Sequence, residues 1–412
     1  MSISHGVRGF FNLPGLFLLA VALITAGLAR PASAAPAGSS AASAVNSLAA
    51  GMYGKLASAG DARQNFCFSP YSVTTALAMT YAGAAGDTSG EMRKVLHFTD
   101  DIHGSGAALR KGLMSAPGGA ELLIANSIWP QGGYRFLRSF TGLLKDSYDA
   151  ELTPVDFQGQ PERSRITIND WTAMRTNGKI TDILPPDSVG PDSRLVLVNA
   201  LYFKAAWADG FSKSDTSEQE FFTPGGGSAA VPMMHSVRNA EYFETDGFQA
   251  ARLPYAGGAF SMLLVLPKER DGLSALEGSL DSDLPASLFF RPERRRVDLW
   301  VPKFKAESTF DLVDALRDLG VKSAFDDKAA DFSLMNGKWD LYINAVAHKA
   351  FVEADERGTE AAAATAVGMA RMSAPYAPEE TPVVFRADHP FIFLIEDNDS
   401  GAILFMGRVA RP

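Results

Sequence analysis

The sequence predicts an α+β fold, with helices early and mostly strands after them. Three observations carry that prediction. A helix start stands at Ser69-Pro70, with proline in the first turn. From residue 195 onwards the apolar runs are short and strand-like. The chain closes on two apolar runs, residues 391–395 and 402–407, joined by Asp397-Asn398-Asp399-Ser400-Gly401, which is a hairpin signal.

The elements follow in order. Residues 35–50 are low in complexity and read as a short flexible lead into a helix. The helix opened by Ser69-Pro70 continues through Ala76, Leu77, Met79 and Thr80 and stops near Gly83-Ala84-Ala85-Gly86. Residues 122–129 read as a buried strand. Residues 195–203 are apolar at both parities, so this strand is expected to be central in a sheet covered on both faces. Residues 260–267 and the alternating run 297–304 read as further strands. Residues 309–319 carry Phe310, Leu312, Val313, Leu316 and Leu319 at helical spacing.

The N-terminus reads as a secretory signal. Arg8 supplies positive charge, residues 13–29 are almost wholly apolar, and Ala32-Ser33-Ala34 fits a small-residue cleavage site. A membrane anchor needs about 20 apolar residues, and this run is shorter. Residues 1–34 are therefore expected to be removed. The mature form is expected to be free of the membrane, secreted or periplasmic. Removing 34 of 412 residues leaves 378, enough for a large core. No linker divides them, so residues 35–412 are expected to form a single domain.

Composition excludes several function classes. The formal charge of −9 becomes −11 once Arg8 and Arg30 leave with the signal, which speaks against a nucleic-acid partner. The basic cluster at Arg291-Pro292-Glu293-Arg294-Arg295-Arg296 is short and reads as a solvated turn before a strand. The single Cys67 cannot form an internal disulfide, and Asn65-Phe66-Cys67-Phe68 reads as a buried hydrophobic setting rather than a nucleophile's. No G-x-S-x-G or G-x-x-x-x-G-K-[ST] motif is present. His97, His103, His235, His348 and His389 include no i, i+4 pair, and there is no C-x-x-C. Neither an enzyme nor a metal or cofactor site is expected.

Seven segments, in order from about residue 42 to 412, together resemble the serpin family of protease inhibitors. They are Asn65-Phe66-Cys67-Phe68-Ser69-Pro70-Tyr71-Ser72 with the helix after it, Asn177-Gly178-Lys179-Ile180-Thr181-Asp182, and Val198-Asn199-Ala200-Leu201-Tyr202-Phe203-Lys204-Ala205-Ala206-Trp207. His348-Lys349-Ala350-Phe351-Val352-Glu353 and Glu356-Arg357-Gly358-Thr359-Glu360-Ala361-Ala362 follow. Asp388-His389-Pro390-Phe391-Ile392-Phe393 and Leu404-Phe405-Met406-Gly407-Arg408-Val409 end the match. The resemblance is to a secreted member of the bacterial type. It implies the serpin fold, with about nine helices, three β-sheets and an exposed reactive-centre loop at residues 356–385.

It also implies a suicide-substrate mechanism. A serine protease, or a cysteine protease by related acyl chemistry, cleaves the loop and forms an acyl-enzyme. The loop's first half then inserts into the main sheet and traps a covalent 1:1 complex with a monomeric inhibitor. The hinge is Glu356, Gly358, Thr359, Glu360, Ala361, Ala362, Ala363 and Ala364. With Gly358 as pivot, Thr359, Ala361, Ala363, Thr365 and Val367 turn inward, and none is charged, large or proline. That argues for an inhibitor over the alternative, a non-inhibitory serpin acting as a binding module. Fifteen residues counted from Gly358 inclusive place the reactive bond at Met372-Ser373; a loop one residue shorter places it at Arg371-Met372. Ser69, Ser72, Asn199 and His348 match the family's polar shutter beneath the opening point. Trp207, Lys303 and Glu356 match the breach where the loop first inserts, and a Glu356–Lys303 salt bridge is expected there. Residues 101–113 contain only Arg110 and Lys111 as basic groups, so polyanion activation is not expected.

Overall fold

The computed structural model describes residues 40–150, 152–280, 293–359 and 381–412. Among them are nine α-helices and fourteen strands, an α+β fold. The low-complexity run expected as a flexible lead is helical from Ser40: α1 is Ser40–Ala59. Alanine is the strongest helix former. Ala41, Ala44, Val45, Leu48 and Met52 repeat at helical spacing and are buried, so propensity and packing agree.

Helix α2 (Pro70–Tyr81) starts where Ser69-Pro70 predicts. Ser69 Oγ accepts from the Ser72 amide at 3.0 Å, and Pro70 fills the first turn, where its missing N–H costs nothing. The helix is buried along most of its length because it lies beneath a sheet.

That sheet runs β2 (Glu121–Pro130), β3 (Leu195–Ala206), β11 (Gly358–Thr359), β10 (Ile343–Asp355), β9 (Phe304–Asp311). Strand β3 is central, as its sequence predicts. Leu195, Leu197, Leu201 and Phe203 join the larger core. Val196, Val198, Ala200 and Tyr202 face the other way, into a second core with Ile168 of α6 (Pro161–Arg175), Ile180, Ile183 and Leu184. Strand side chains alternate, so covering both faces calls for apolar residues at both parities, with the buried Asn199 the polar exception.

The other nine strands are linked by continuous pairing in the order β1-β14-β13-β7-β6-β5-β8-β12, with β4 on β5. Their ranges are β1 (Phe66–Phe68), β4 (Ser217–Thr223), β5 (Gly227–Glu244), β6 (Phe248–Pro254), β7 (Phe260–Pro267), β8 (Glu293–Pro302), β12 (Val383–Arg386), β13 (Phe391–Asp397) and β14 (Ile403–Val409). The long β5 belongs to two groups. Its first part pairs with β4 and β8, and its end, from Glu241, pairs with β6. By continuous pairing the described strands form two sheets, because the long β5 joins β4 and β8 to β6. The closing hairpin is β13–β14, with Asp397 Oδ2 accepting from the Ser400 amide in the turn.

One expectation needs correction. Residues 309–311 are strand, not helix: Phe310 pairs with His348, and the helix begins only at Val313 and ends at Leu319. The ladder along β10 outweighs a helical spacing that Phe310 shares by chance. Asp311 Oδ1 marks the boundary by accepting from the amides of Val313 and Val346, both at 3.2 Å.

Cys67 is fully buried in β1. Its Sγ donates to the Ala306 carbonyl at 3.3 Å, and burial pushes the thiol far up. It behaves as a small hydrophobe.

Candidate functional site

The site is the seam between β3 and β10. These two strands run parallel and pair directly from Ile343/Leu195 to Phe351/Tyr202. Beyond that point a third strand lies between them. In β11, Gly358 and Thr359 pair antiparallel with Ala206 and Ala205 of β3, and with Asp355 and Ala354 of β10. The seam is therefore parted at one end by two residues of the expected hinge.

Several contacts fix this end. Asp355 Oδ1 accepts from the amides of Arg357 (2.7 Å) and Gly358 (3.2 Å), closing the turn that reverses the chain. Gly358 has φ +152, and a Cβ there would stand 2.1 Å from the Ala205 carbonyl oxygen, so only glycine fits. Thr359 is fully buried, and its Oγ1 shares a 2.6 Å hydrogen bond with the Tyr255 hydroxyl. The Tyr255 ring stacks on Trp207 at 4.6 Å and 11°. Trp207 in turn donates from its amide to the Arg357 carbonyl and from Nε1 to the Asp355 carbonyl, each at 2.9 Å.

Glu356 and Lys303 meet here, with Nζ 3.2 Å from Oε2. Thr216 Oγ1 adds a 3.1 Å bond to Glu356 Oε1. Burial alone would raise the Glu356 pKa, but its own backbone amide, Lys303 and Thr216 outweigh that and hold it below the usual carboxylate value. The Lys303 side chain is 39% exposed, so the pair is partly solvated.

The middle of the seam is different in kind. His348 on β10 stands opposite Asn199 on β3. Its Nε2 accepts from the Ser69 amide at 2.9 Å, so that nitrogen carries no proton. The proton is then on Nδ1, which donates to Asn199 Oδ1 across the seam. Burial pushes the His348 pKa down to about 3, so the ring is neutral. Ser72 Oγ donates to Asn126 Oδ1 at 2.7 Å, and Asn126 is the register partner of Asn199 on β2. The structure thus brings Ser69, Ser72, Asn199 and His348 into one cluster, and Trp207, Lys303 and Glu356 into another.

Asn126 and Tyr255 belong to these clusters and were not expected from sequence. The polar Asn126 inside an otherwise apolar strand was a usable signal, but its partner lies 54 residues away at Ser72. Nothing local marks Tyr255. Glu360, Ala361, Ala362, Ala363, Ala364, Arg371, Met372 and Ser373, together with residues 1–34, lie outside the described residues.

Comparison with known proteins agrees with this geometry. The model of the family described as serpin (serine protease inhibitor) matches residues 43–412. An uncharacterised serpin-like protein of Thermococcus kodakarensis is 41% identical over 373 residues, covering 90% of this chain and 85% of its own. The leukocyte elastase inhibitor A of Rattus norvegicus is 37% identical over 358 residues, covering 84% of this chain and 93% of its own. The native stressed conformation of an Arabidopsis serpin superposes with a TM-score of 0.80 at 32% identity, over 90% of this chain and 98% of that one. The segment order, the parted seam and these matches agree: the chain belongs to the serpin family.

Proposed function

We propose that the protein is a suicide-substrate inhibitor of serine proteases rather than an enzyme. One observation carries the reading: Gly358 and Thr359 form a two-residue strand between β3 and β10, with the family's small inward residues next in sequence. The protease's serine oxygen attacks the Met372 carbonyl. The Met372–Ser373 bond breaks, Ser373 leaves as a free amine, and an ester joins the two proteins. The loop then continues the insertion that β11 begins.

The topology favours that continuation. β3 and β10 pair in parallel with each other, whereas β11 is antiparallel to both. Insertion exchanges one parallel interface for two antiparallel ones, which are slightly better bonded per residue. Each inserted residue gains about 0.5–1.5 kcal/mol of net hydrogen bonding and loses about 1–2 kcal/mol of backbone entropy. Those nearly cancel, so burial of Ala361, Ala363, Thr365 and Val367 and release of strain decide the outcome. Neighbouring strands are about 4.8 Å apart, so a strand placed between β3 and β10 sets them about 10 Å apart. The His348–Asn199 bond cannot span that, and the shutter must exchange partners.

Secretion or periplasmic export is part of this reading and rests on residues 1–34. The relatives named above come from an archaeon, a rat and a plant. The partner is a protease with an apolar specificity pocket if Met372 precedes the bond, and a trypsin-like one if Arg371 does. Incubation with an elastase, a chymotrypsin and a trypsin, read by denaturing gel and mass spectrometry, tests it. An SDS-stable 1:1 complex and release of a fragment beginning at Ser373 are expected. Rapid loop cleavage without complex would reject inhibition and favour the non-inhibitory alternative.

A further inference from the structure

A cavity of about 260 Å³ lies beside β2, between α2, α4 (Ile102–Met114) and α5 (Arg138–Tyr148), with Trp171 and Arg175 of α6 also lining it. Three buried polar atoms of its lining residues have no hydrogen-bond partner among the described residues: Tyr71 Oη, Asn126 Nδ2 and Arg110 Nε. Buried polar groups are normally paired. Three such orphans around one small cavity point to a missing partner.

All three can donate, and the Tyr71 hydroxyl can also accept. Asn126 Oδ1 already accepts from Ser72 Oγ, which orients the amide and leaves its NH₂ group unmatched. Tyr71 is 2% exposed, and burial pushes its phenol up to about 12, so it keeps its proton. The neighbouring Thr75 hydroxyl donates to the Tyr71 carbonyl at 2.8 Å, and its interaction with the phenol offsets part of the effect of burial. Arg110 is cationic, and its only ion-pair partner among the described residues, Asp149, stands 3.9 Å away and is 80% exposed. Arg175 adds a second guanidinium, 5.5 Å from the Trp171 ring centroid. The same lining includes Met114, Leu122 and Trp171, which offer apolar surface.

Unmatched donors with positive charge call for an anionic acceptor, and the apolar wall calls for a hydrophobic body. We propose that this cavity binds a small monocarboxylate with an apolar body. Its carboxylate is received by the Tyr71 hydroxyl, the Asn126 amide and Arg110, and its body packs on Met114, Leu122 and Trp171. The site is separate from the hinge, shares Asn126 with the shutter cluster, and its occupancy can be read without protease inhibition.

Titration of the uncleaved full chain with 4-phenylbutyrate and with its neutral amide, by calorimetry and ligand-observed NMR, tests the proposal without any protease. Saturable 1:1 binding of the acid is expected, with the amide at least tenfold weaker. Tyr71→Phe and Arg110→Met are each expected to weaken the acid at least fivefold, and Arg317→Met, which is remote from the cavity, to leave it unchanged. Absence of saturable binding by the acid, or equal affinity for acid and amide, would overturn the proposal. The acid–amide comparison uses the unmodified chain and stands even if a variant fails to fold.

Discussion

The parted end and the middle of one seam are held by different chemistry. Where β11 parts it, the contacts are an aromatic stack, a turn closed by Asp355 and a partly solvated ion pair. In the middle, β3 and β10 meet directly across a buried, neutral histidine. In the proposed insertion the first end begins the opening. The second resists it, because each polar group there must find a new partner before the old one is released. Opening as proposed would run from a loosened edge towards a locked centre.

The largest effect is expected at the loosened end. Thr359→Arg would place a charge where the side chain is fully buried, at a desolvation cost of several kcal/mol. At about 1.4 kcal/mol per tenfold, yield of covalent complex should fall a hundredfold or more while cleavage continues. Unchanged complex yield on a denaturing gel would break the comparison, because the parted end would then not lead into the insertion path.

Gly358→Val comes next. Its side chain collides with the Ala205 carbonyl, so β11 should be expelled. A loss of about 1–3 kcal/mol is expected from denaturant unfolding, with faster cleavage of the hinge by unrelated proteases.

The locked centre is tested by pH. The His348 pKa is about 3 in the folded chain, against 6.5 for a free histidine. Between those values the unfolded chain takes up a proton and the native chain does not. Native stability therefore falls as pH drops from about 6.5 towards 3, by about 1.4 kcal/mol per unit. Glu356 acts in a different window. Its folded pKa is depressed, so its stabilisation is present above 4.5 and lost as pH falls through its folded value. His348→Gln should flatten the decline in the guanidinium midpoint between pH 7 and pH 5. An unaltered slope would mean that the centre is not held by a neutral imidazole.

The smallest effect is Lys303→Met. Exposed pairs contribute about 0–1 kcal/mol; here the lysine is 39% exposed, and the buried Glu356, 6% exposed, keeps its bond from Thr216 when the lysine is removed. A shift of less than about 1 kcal/mol is expected, reproduced in the parent chain by raising the salt concentration. A larger loss would show the ion pair, not the aromatic stack, to be the main hold.

What the sequence made legible was local. Ser69-Pro70 announces the start of α2 because cap and proline act on their own first turn. Strand β3 announces a sheet covered on both faces because each side chain reports its own burial. The Glu356–Lys303 contact was reachable only through the family resemblance, since 53 residues separate the pair. Where pairing overrules local preference, reading failed. Phe310 sits at helical spacing yet lies in β9, because the ladder to His348 is a contact the window cannot contain. Asn126 and Tyr255 join their clusters through register and stacking, which no neighbouring residue encodes.

Cys67 gives the molecule a stopwatch. It is the only thiol in the chain, fully buried and bonded to the Ala306 carbonyl of β9. A thiol reagent can reach it only when the strands that bury it, β9 among them, come away from β1, so each molecule records that event once, as a single mass increment. Because β9 is an outer strand of the same five-stranded sheet as the seam, the labelling rate before and after loop cleavage would time how far the opening travels through the sheet.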